Sequence, residues 1–449
     1  MKKIFQYIML AVVTIVMASC TSDIEETTAT TGKNNVQLVV GEFPAFGDSQ
    51  TRAIGTPDEG KTSWAEGDEL LLEIDNTSYG RHNATFTYNG KSWELTSGEL
   101  VYLEGDPAYI SHVYYAPNYK WSNTSLMLKK GKVAGTDELI EGKARITGNG
   151  ETITVSFAEA TRKYSRLRIA TLPNEQITVD TEYFTPAGSS DMEQKGNYAL
   201  TSDEKGNAYL YGTFENNSEV TVKYREAALT TYTFSQATEN AKSYALDATV
   251  ISANSAEEIM SAIEQKVADG KTTIRLNLAP NAGTNEFMAI REAIKGAAPN
   301  DLGTIELTII GVETIPEEAF YKMLQLKSVR MSDVKEIKKY AFKECQYLTV
   351  VEAPSLNKLY SGAFKKCDQL SKLTFGPINY ADARNWPIFE YITPNIDLIL
   401  SDYQKEMIET DDYLYTANND RDYAGSDEHN SKNFLGREFK SITCRYPVE

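Results

Sequence analysis

One period constrains the fold of this chain more than any other feature. An Ala-Phe pair recurs at Ala319-Phe320, Ala341-Phe342 and Ala363-Phe364, 22 residues apart each time. Three further positions keep that spacing: Ile315, Ile337 and Leu359; Leu326, Leu348 and Leu370; Val329, Val351 and Leu373. A unit this short cannot bury an apolar face by itself, so it must stack on copies of itself. In Leu326-x-x-Val329-x-Met331 the alternation turns apolar side chains inward onto the next rung, and the chain then returns through the Ala-Phe pair.

These units resemble the BspA-type leucine-rich repeat of bacterial surface proteins. The matching residues are Ile337, Ala341-Phe342 and Cys345, then Leu359, Ala363-Phe364 and Cys367; the first unit carries Met323 at the cysteine position. The position therefore wants a compact soft apolar group rather than a reactive thiol. The resemblance implies a short leucine-rich-repeat solenoid over residues 301–376. A helical cap is expected at 254–300, because Ser255-Ala256-Glu257-Glu258 is a capping box, Ile259, Ile263 and Val267 share a face, and Gly270 is a stop. Strand Ile274 to Leu278 and a second helix from about Glu286 to Lys295 complete it. After Phe375 the period ends, and residues 377–449 are read as a C-terminal cap.

Strand alternation also names a face. If Val329 and Met331 point inward, Ser328 and Arg330 point outward, with Glu306, Thr308, Val350, Glu352, Lys372 and Thr374 on the neighbouring rungs. These eight are the candidate binding residues; a merely solvated face is the plain alternative. Cys345 and Cys367 fall on adjacent rungs, about 4.8 Å apart by strand spacing. A disulfide is geometrically allowed, and free buried thiols are the simpler reading. No metal is expected there, because no His lies near the pair and Cys444 is distant. Asn418, Asp420 and Asp422 imitate the start of a calcium loop, but Tyr423 and His429 occupy its glycine and closing glutamate positions, so calcium is not expected either.

The first residues address the compartment. Lys2 and Lys3 precede an apolar run from Ile8 to Ala18, and Met17-Ala18-Ser19-Cys20 follows. This is a signal peptide over 1–19, and its end resembles the bacterial lipobox, which implies cleavage and acylation (palmitate among the chains) at Cys20. Several acyl chains anchor a protein firmly. Residues 20–34 are polar and read as a flexible acidic tether; Asp23, Glu25 and Glu26 resemble the signal that sends some lipoproteins to the outer face of the outer membrane. A cell-surface location follows as an expectation.

Residues 35–250 read as short strands separated by turns, with Thr152 to Phe157 alternating and no sustained helical period. The fold class expected is therefore mainly β. Thr51-Arg52-Ala53, Trp64-Ala65-Glu66-Gly67-Asp68, Val113-Tyr114-Tyr115-Ala116-Pro117 and the Tyr244-Ala245-Leu246 ending resemble fimbrillin-like proteins in order and spacing. That resemblance implies two transthyretin-like sandwiches and, in some relatives, pilus assembly by strand exchange after proteolysis near an arginine. Arg52 is where such a cut would fall; an ordinary residue between strands is the alternative. Trp64, Trp93 and Trp121 would either offer a sugar platform or fill sandwich cores.

No chemistry is legible. Only three histidines occur, at His82, His112 and His429, none in a metal or triad motif, and the chain lacks HExxH, GxSxG, a P-loop and GxGxxG. The chain is thus expected not to be an enzyme and to need no cofactor. Its net charge of -18, which becomes -20 without Lys2 and Lys3, disfavours nucleic acid. The expected function is a surface-anchored adhesin or recognition lipoprotein that binds a host or matrix protein or glycan through the repeats. The alternative is a fimbrial subunit or tip protein whose partners are other pilus subunits.

Overall fold

The computed structural model describes residues 27–28, 36–44, 46, 61–76, 80–98, 108–123, 125–148, 153–225, 227–253, 255–382, 387–393, 395–404, 433–435 and 437–445. The leader, Cys20, most of the tether, Arg52 and the Asn418 to Asp422 loop lie outside them. The chain is mainly β, with two helices among the described residues, and divides into two compact units: Met1–Val222 with Thr230–Ala248, and Lys223–Leu229 with Thr249–Glu449. No described helix is long and apolar enough to cross a membrane.

The first unit opens with an eight-stranded sheet in the order Thr27–Thr28, Val36–Val40, Ile153–Arg162, Ile140–Gly148, Ala108–Tyr115, Glu69–Asn76, Gly80–Tyr88 and Trp93–Gly98. It is antiparallel except where Val36–Val40 runs parallel to Ile153–Arg162. Leu38 from the second strand and Trp93 from the last share one core with Leu70, Leu72, Phe86 and Val113. A flat sheet would hold those two strands about 29 Å apart, at ~4.8 Å per strand, so the sheet curls over its own face.

Two four-stranded sheets follow. One runs Phe184–Pro186, Asn207–Phe214, Ser165–Ala170, Ser243–Asp247, and the other Gly196–Thr201, Gln176–Thr181, Glu219–Tyr224, Ala227–Thr233, of which the segment Lys223–Leu229 counts with the second unit. Their inner faces meet where the Phe184 ring lies edge-on to Tyr198 at 5.5 Å. Alternation is plain in Gln176–Thr181, where Ile177 and Val179 are buried and the residues between them are not.

In the second unit Ser255 Oγ accepts the Glu258 backbone N–H at 3.2 Å, opening the helix Ala256–Ala268 that buries Ile259 and Ile263. Gly270 takes the left-handed conformation just beyond it, φ +72°. The second helix, Thr284–Ala297, starts two residues earlier than its sequence suggests, because Glu286 accepts the Gly283 N–H at 2.8 Å and caps it there.

Between and beyond the helices an eight-stranded, wholly parallel sheet runs Ile251–Ala253, Thr273–Leu278, Ile305–Ile310, Leu326–Met331, Val350–Ala353, Lys372–Phe375, Asp397–Ser401, Ser441–Arg445. A second parallel sheet stacks Thr314–Ile315, Glu336–Ile337, Lys358–Tyr360 and Tyr380–Asp382. The Ala-Phe turns form a third ladder, with the Phe320 N–H donating to the Ala341 carbonyl and the Phe342 N–H to that of Ala363, each at 2.8 Å.

The 22-residue spacing, expected to end at Phe375, runs on to Asp382, which registers with Tyr360, and the stack continues beyond it. Lys372 pairs with Asp397, and the Phe364 N–H donates to the Ile388 carbonyl, so a further rung sits 25 residues on. The phenylalanines form a buried column: ring centroids lie 5.1 Å apart from Phe320 to Phe342, 5.4 Å to Phe364 and 5.5 Å to Phe389, with Phe287 and Phe439 edge-on at the ends.

Candidate binding surface

The eight face residues fall into two rows across four strands. Glu306 registers with Ser328, Ser328 with Val350 and Val350 with Lys372; Thr308 registers with Arg330, Arg330 with Glu352 and Glu352 with Thr374. Inward neighbours Val329, Met331, Val351 and Leu373 are fully buried, as alternation requires. The rows run on through Asp397 and Ile399 to Ser441 and Thr443, which the sequence concealed behind the longer spacing.

One of the eight is not available. Thr308 is buried, at 5% exposure, and so is its register neighbour Arg275, which donates Nε to the Leu229 carbonyl at 2.5 Å within the same unit. The Arg275–Thr308 row is thus covered on these strands, while Glu306 on the neighbouring row keeps an accessible side chain.

Much of the charge on this face is neutralised within it. Lys327 pairs with Glu306 at 2.8 Å, Arg330 with Glu352 at 2.9 Å, and Lys440 with Asp397 at 2.9 Å. The Ser441 hydroxyl also donates to Asp397 at 2.6 Å, and these hydrogen bonds hold the Asp397 carboxyl below the usual range. The result is a surface with alternating signs in register, suited to a partner that reads a charge pattern rather than a net charge.

The other singled-out residues are structural. Trp93 is buried, and Trp64, half-buried, packs edge-on against Phe43, Trp93 and Tyr115 while donating Nε1 to the Gly41 carbonyl at 2.8 Å. Trp121 stands apart against Tyr114, so the three tryptophans make no common sugar platform. Cys345 and Cys367 are free and buried; their thiols donate to the Phe320 and Phe342 carbonyls at 2.9 and 3.0 Å. Burial pushes the Cys345 thiol up to about 12 and that of Cys367 well above its ordinary value. Among the described residues no group of His, Cys, Asp and Glu is placed to hold a metal ion.

A second charged surface escaped the sequence reading. It lies on the turn corner directly after the phenylalanines, where Tyr321, Lys343 and Lys365 occupy equivalent places on three rungs. The signal was the same 22-residue spacing, hidden because the residue type varies there.

Residues 302–399 match the family described as BspA type leucine-rich repeat region, in six copies. This stretch of the chain is thus a BspA-type leucine-rich-repeat region, and it extends past the last strict period to the rung at Asp397. No curated protein matches the chain. Among solved structures it is similar to a proposed cell adhesion protein from Bacteroides fragilis NCTC 9343, at 12% identity over 49% of this chain and 93% of that one. The TM-score is 0.33, too loose a likeness to define a shared fold.

Proposed function

We propose that this chain is a surface-anchored recognition lipoprotein, held at the outer membrane by acyl chains on Cys20, whose repeat region binds a host or matrix protein or glycan. The observation that supports this reading most is the outward sheet face from Leu326–Met331 to Ser441–Arg445. Its polar side chains stand in register on a parallel sheet whose inner side is fully packed, so a partner is met without ordering a loop. The BspA-type repeats support the same reading at a coarser level.

The test is a binding array of matrix proteins and glycans against the ectodomain from Thr21, repeated with Arg330→Ala, Glu352→Ala and Lys372→Ala combined. Arg330 and Glu352 leave together, so neither loses its partner alone, and exposed pairs contribute about 0–1 kcal/mol. Binding should be lost with the melting temperature nearly unchanged. Undiminished binding by the triple variant would remove the site from this face.

A further inference from the structure

Residues 301–376 hold eleven Lys and Arg against ten Asp and Glu, a net of +1, so the remainder of the chain carries -19 of the total -18. Within that balanced stretch Lys322, Lys339, Lys343, Lys365 and Lys366 gather on the turn corner, beside Glu318, Glu344 and Asp368. There the rungs are tied backbone to backbone: the Lys322 N–H donates to the Lys343 carbonyl at 2.9 Å, that of Glu344 to Lys365 at 2.8 Å, and that of Lys366 to Glu390 at 2.9 Å. The corner is therefore one continuous strip over four rungs.

Tyrosine rings fix its ammonium groups. Lys343 Nζ sits 4.9 Å from the ring centres of both Tyr321 and Tyr340, Lys322 is 5.2 Å from Tyr321, and Lys339 is 4.7 Å from Tyr340. At the far end Lys366 lies 6.0 Å from the Tyr391 ring, which is half exposed. Tyr340 in turn lies over Gly362 on the next rung, so closely that a Cβ there would come within 2.5 Å of the ring. Side chains anchored in this way lose less freedom on binding than ordinary surface lysines.

Carboxylates neutralise this strip only in part. Glu344 is shared loosely between Lys322 at 3.6 Å and Lys343 at 3.9 Å, Glu390 is taken by Lys365 at 2.5 Å, and Asp368 lies near Lys366. Among the described residues Lys339 forms no ion pair, in contrast to Lys327, Arg330 and Lys440 on the sheet face.

We propose that the lysine-tyrosine corner from Tyr321 to Tyr391 binds an acidic polysaccharide, a chain of sugar rings bearing sulfate or carboxylate groups. Rungs repeat at about 4.8 Å, comparable with the length of one sugar ring, so anionic substituents on successive sugars meet successive ammonium groups. The apolar face of a pyranose stacks on an open aromatic ring such as Tyr391. A polynucleotide is a poorer fit, because its dense charge runs past four rungs into the field of a chain that is otherwise strongly acidic. The corner shares no residue with the sheet face, so the two sites stand or fall separately.

The test titrates the full ectodomain with a fluorescent heparin-derived oligosaccharide at physiological salt, beside neutral dextran and a duplex DNA of similar length. Heparin should bind, dextran should not, and DNA should bind at least tenfold more weakly. Combining Lys339→Gln, Lys343→Gln and Lys366→Gln should weaken heparin at least tenfold and flatten its salt dependence. Glu344→Gln should tighten binding a few-fold, a gain that no loss of folding can imitate. The Arg330, Glu352, Lys372 variant should bind heparin like the parent. Absence of heparin binding, an unchanged affinity in the lysine variant, or equal binding of DNA through the same lysines would each overturn the proposal.

Discussion

Among the described residues Arg437 is the largest fully buried side chain, and its surroundings explain why a charge is tolerated there. It donates Nη1 to the Phe389 carbonyl at 3.2 Å and Nη2 to those of Ile392 and Thr393 at 3.1 and 3.2 Å, and its guanidinium lies 5.3 Å from the rings of both Phe389 and Phe439. It thus ties the final turn to the end of the phenylalanine column. Arg437→Met keeps much of the volume but strips donors from four carbonyls, that of Glu438 included, and it should cost about 2–4 kcal/mol, read as a lowered urea midpoint. The buried thiols give a second expectation at this scale. An unfolded cysteine ionises near its ordinary value of 9.0, whereas folded Cys345 holds its proton to about 12. Between those values the unfolded state binds fewer protons, so stability should fall as pH rises, by up to about 1.4 kcal/mol per pH unit for each thiol. Half-buried tyrosines such as Tyr114 add to the same slope, so the measurement is a comparison: Cys345→Ala with Cys367→Ala should flatten the decline above pH 9. An unchanged slope would mean that the thiols are not protected as the packing requires.

At the scale of elements, legibility in the sequence follows from whether the packing forces a residue type. The Ala-Phe pair was readable because each of the three 22-residue rungs supplies one ring to the column and one small residue beside it. The next rung met the same demand for a ring with Phe389, yet Ile388 replaces alanine and the spacing grows to 25, so a search for strict repetition stops one rung early. The helix Ala256–Ala268 was readable from Ser255 and its apolar spacing, since a cap and a period are both local. The burial of Thr308 was not, because alternation predicts the side a residue faces and is silent on what covers that side. In Asn207–Phe214 the alternation is blurred because Tyr211 is buried along with Ala208, Leu210, Gly212 and Phe214 of the other face. The corner lysines stayed hidden for the opposite reason, as their place is fixed by the backbone ladder while their chemistry is left free by the packing.

At the scale of the whole molecule, two apolar clusters each fall within a single unit. Leu38, Leu72, Phe86 and Trp93 belong to a cluster drawn from the first unit, while the apolar cluster of the second runs unbroken from Ala253 to Phe439 along the stacked rungs. Stability in a stacked array comes largely from contacts between neighbouring rungs, so a defect in the middle rung weakens both of its interfaces. Phe342 is such a position, fully buried and stacked on Phe320 at 5.1 Å and Phe364 at 5.4 Å. Removing that ring opens a cavity the parallel ladders cannot close, and Phe342→Ala should cost about 3–5 kcal/mol. If the cores are energetically separate, calorimetry of the full chain should resolve two transitions, of which the substitution lowers one by several degrees and leaves the other in place. Movement of both transitions together, or a single transition that shifts as a whole, would show that the units fold as one.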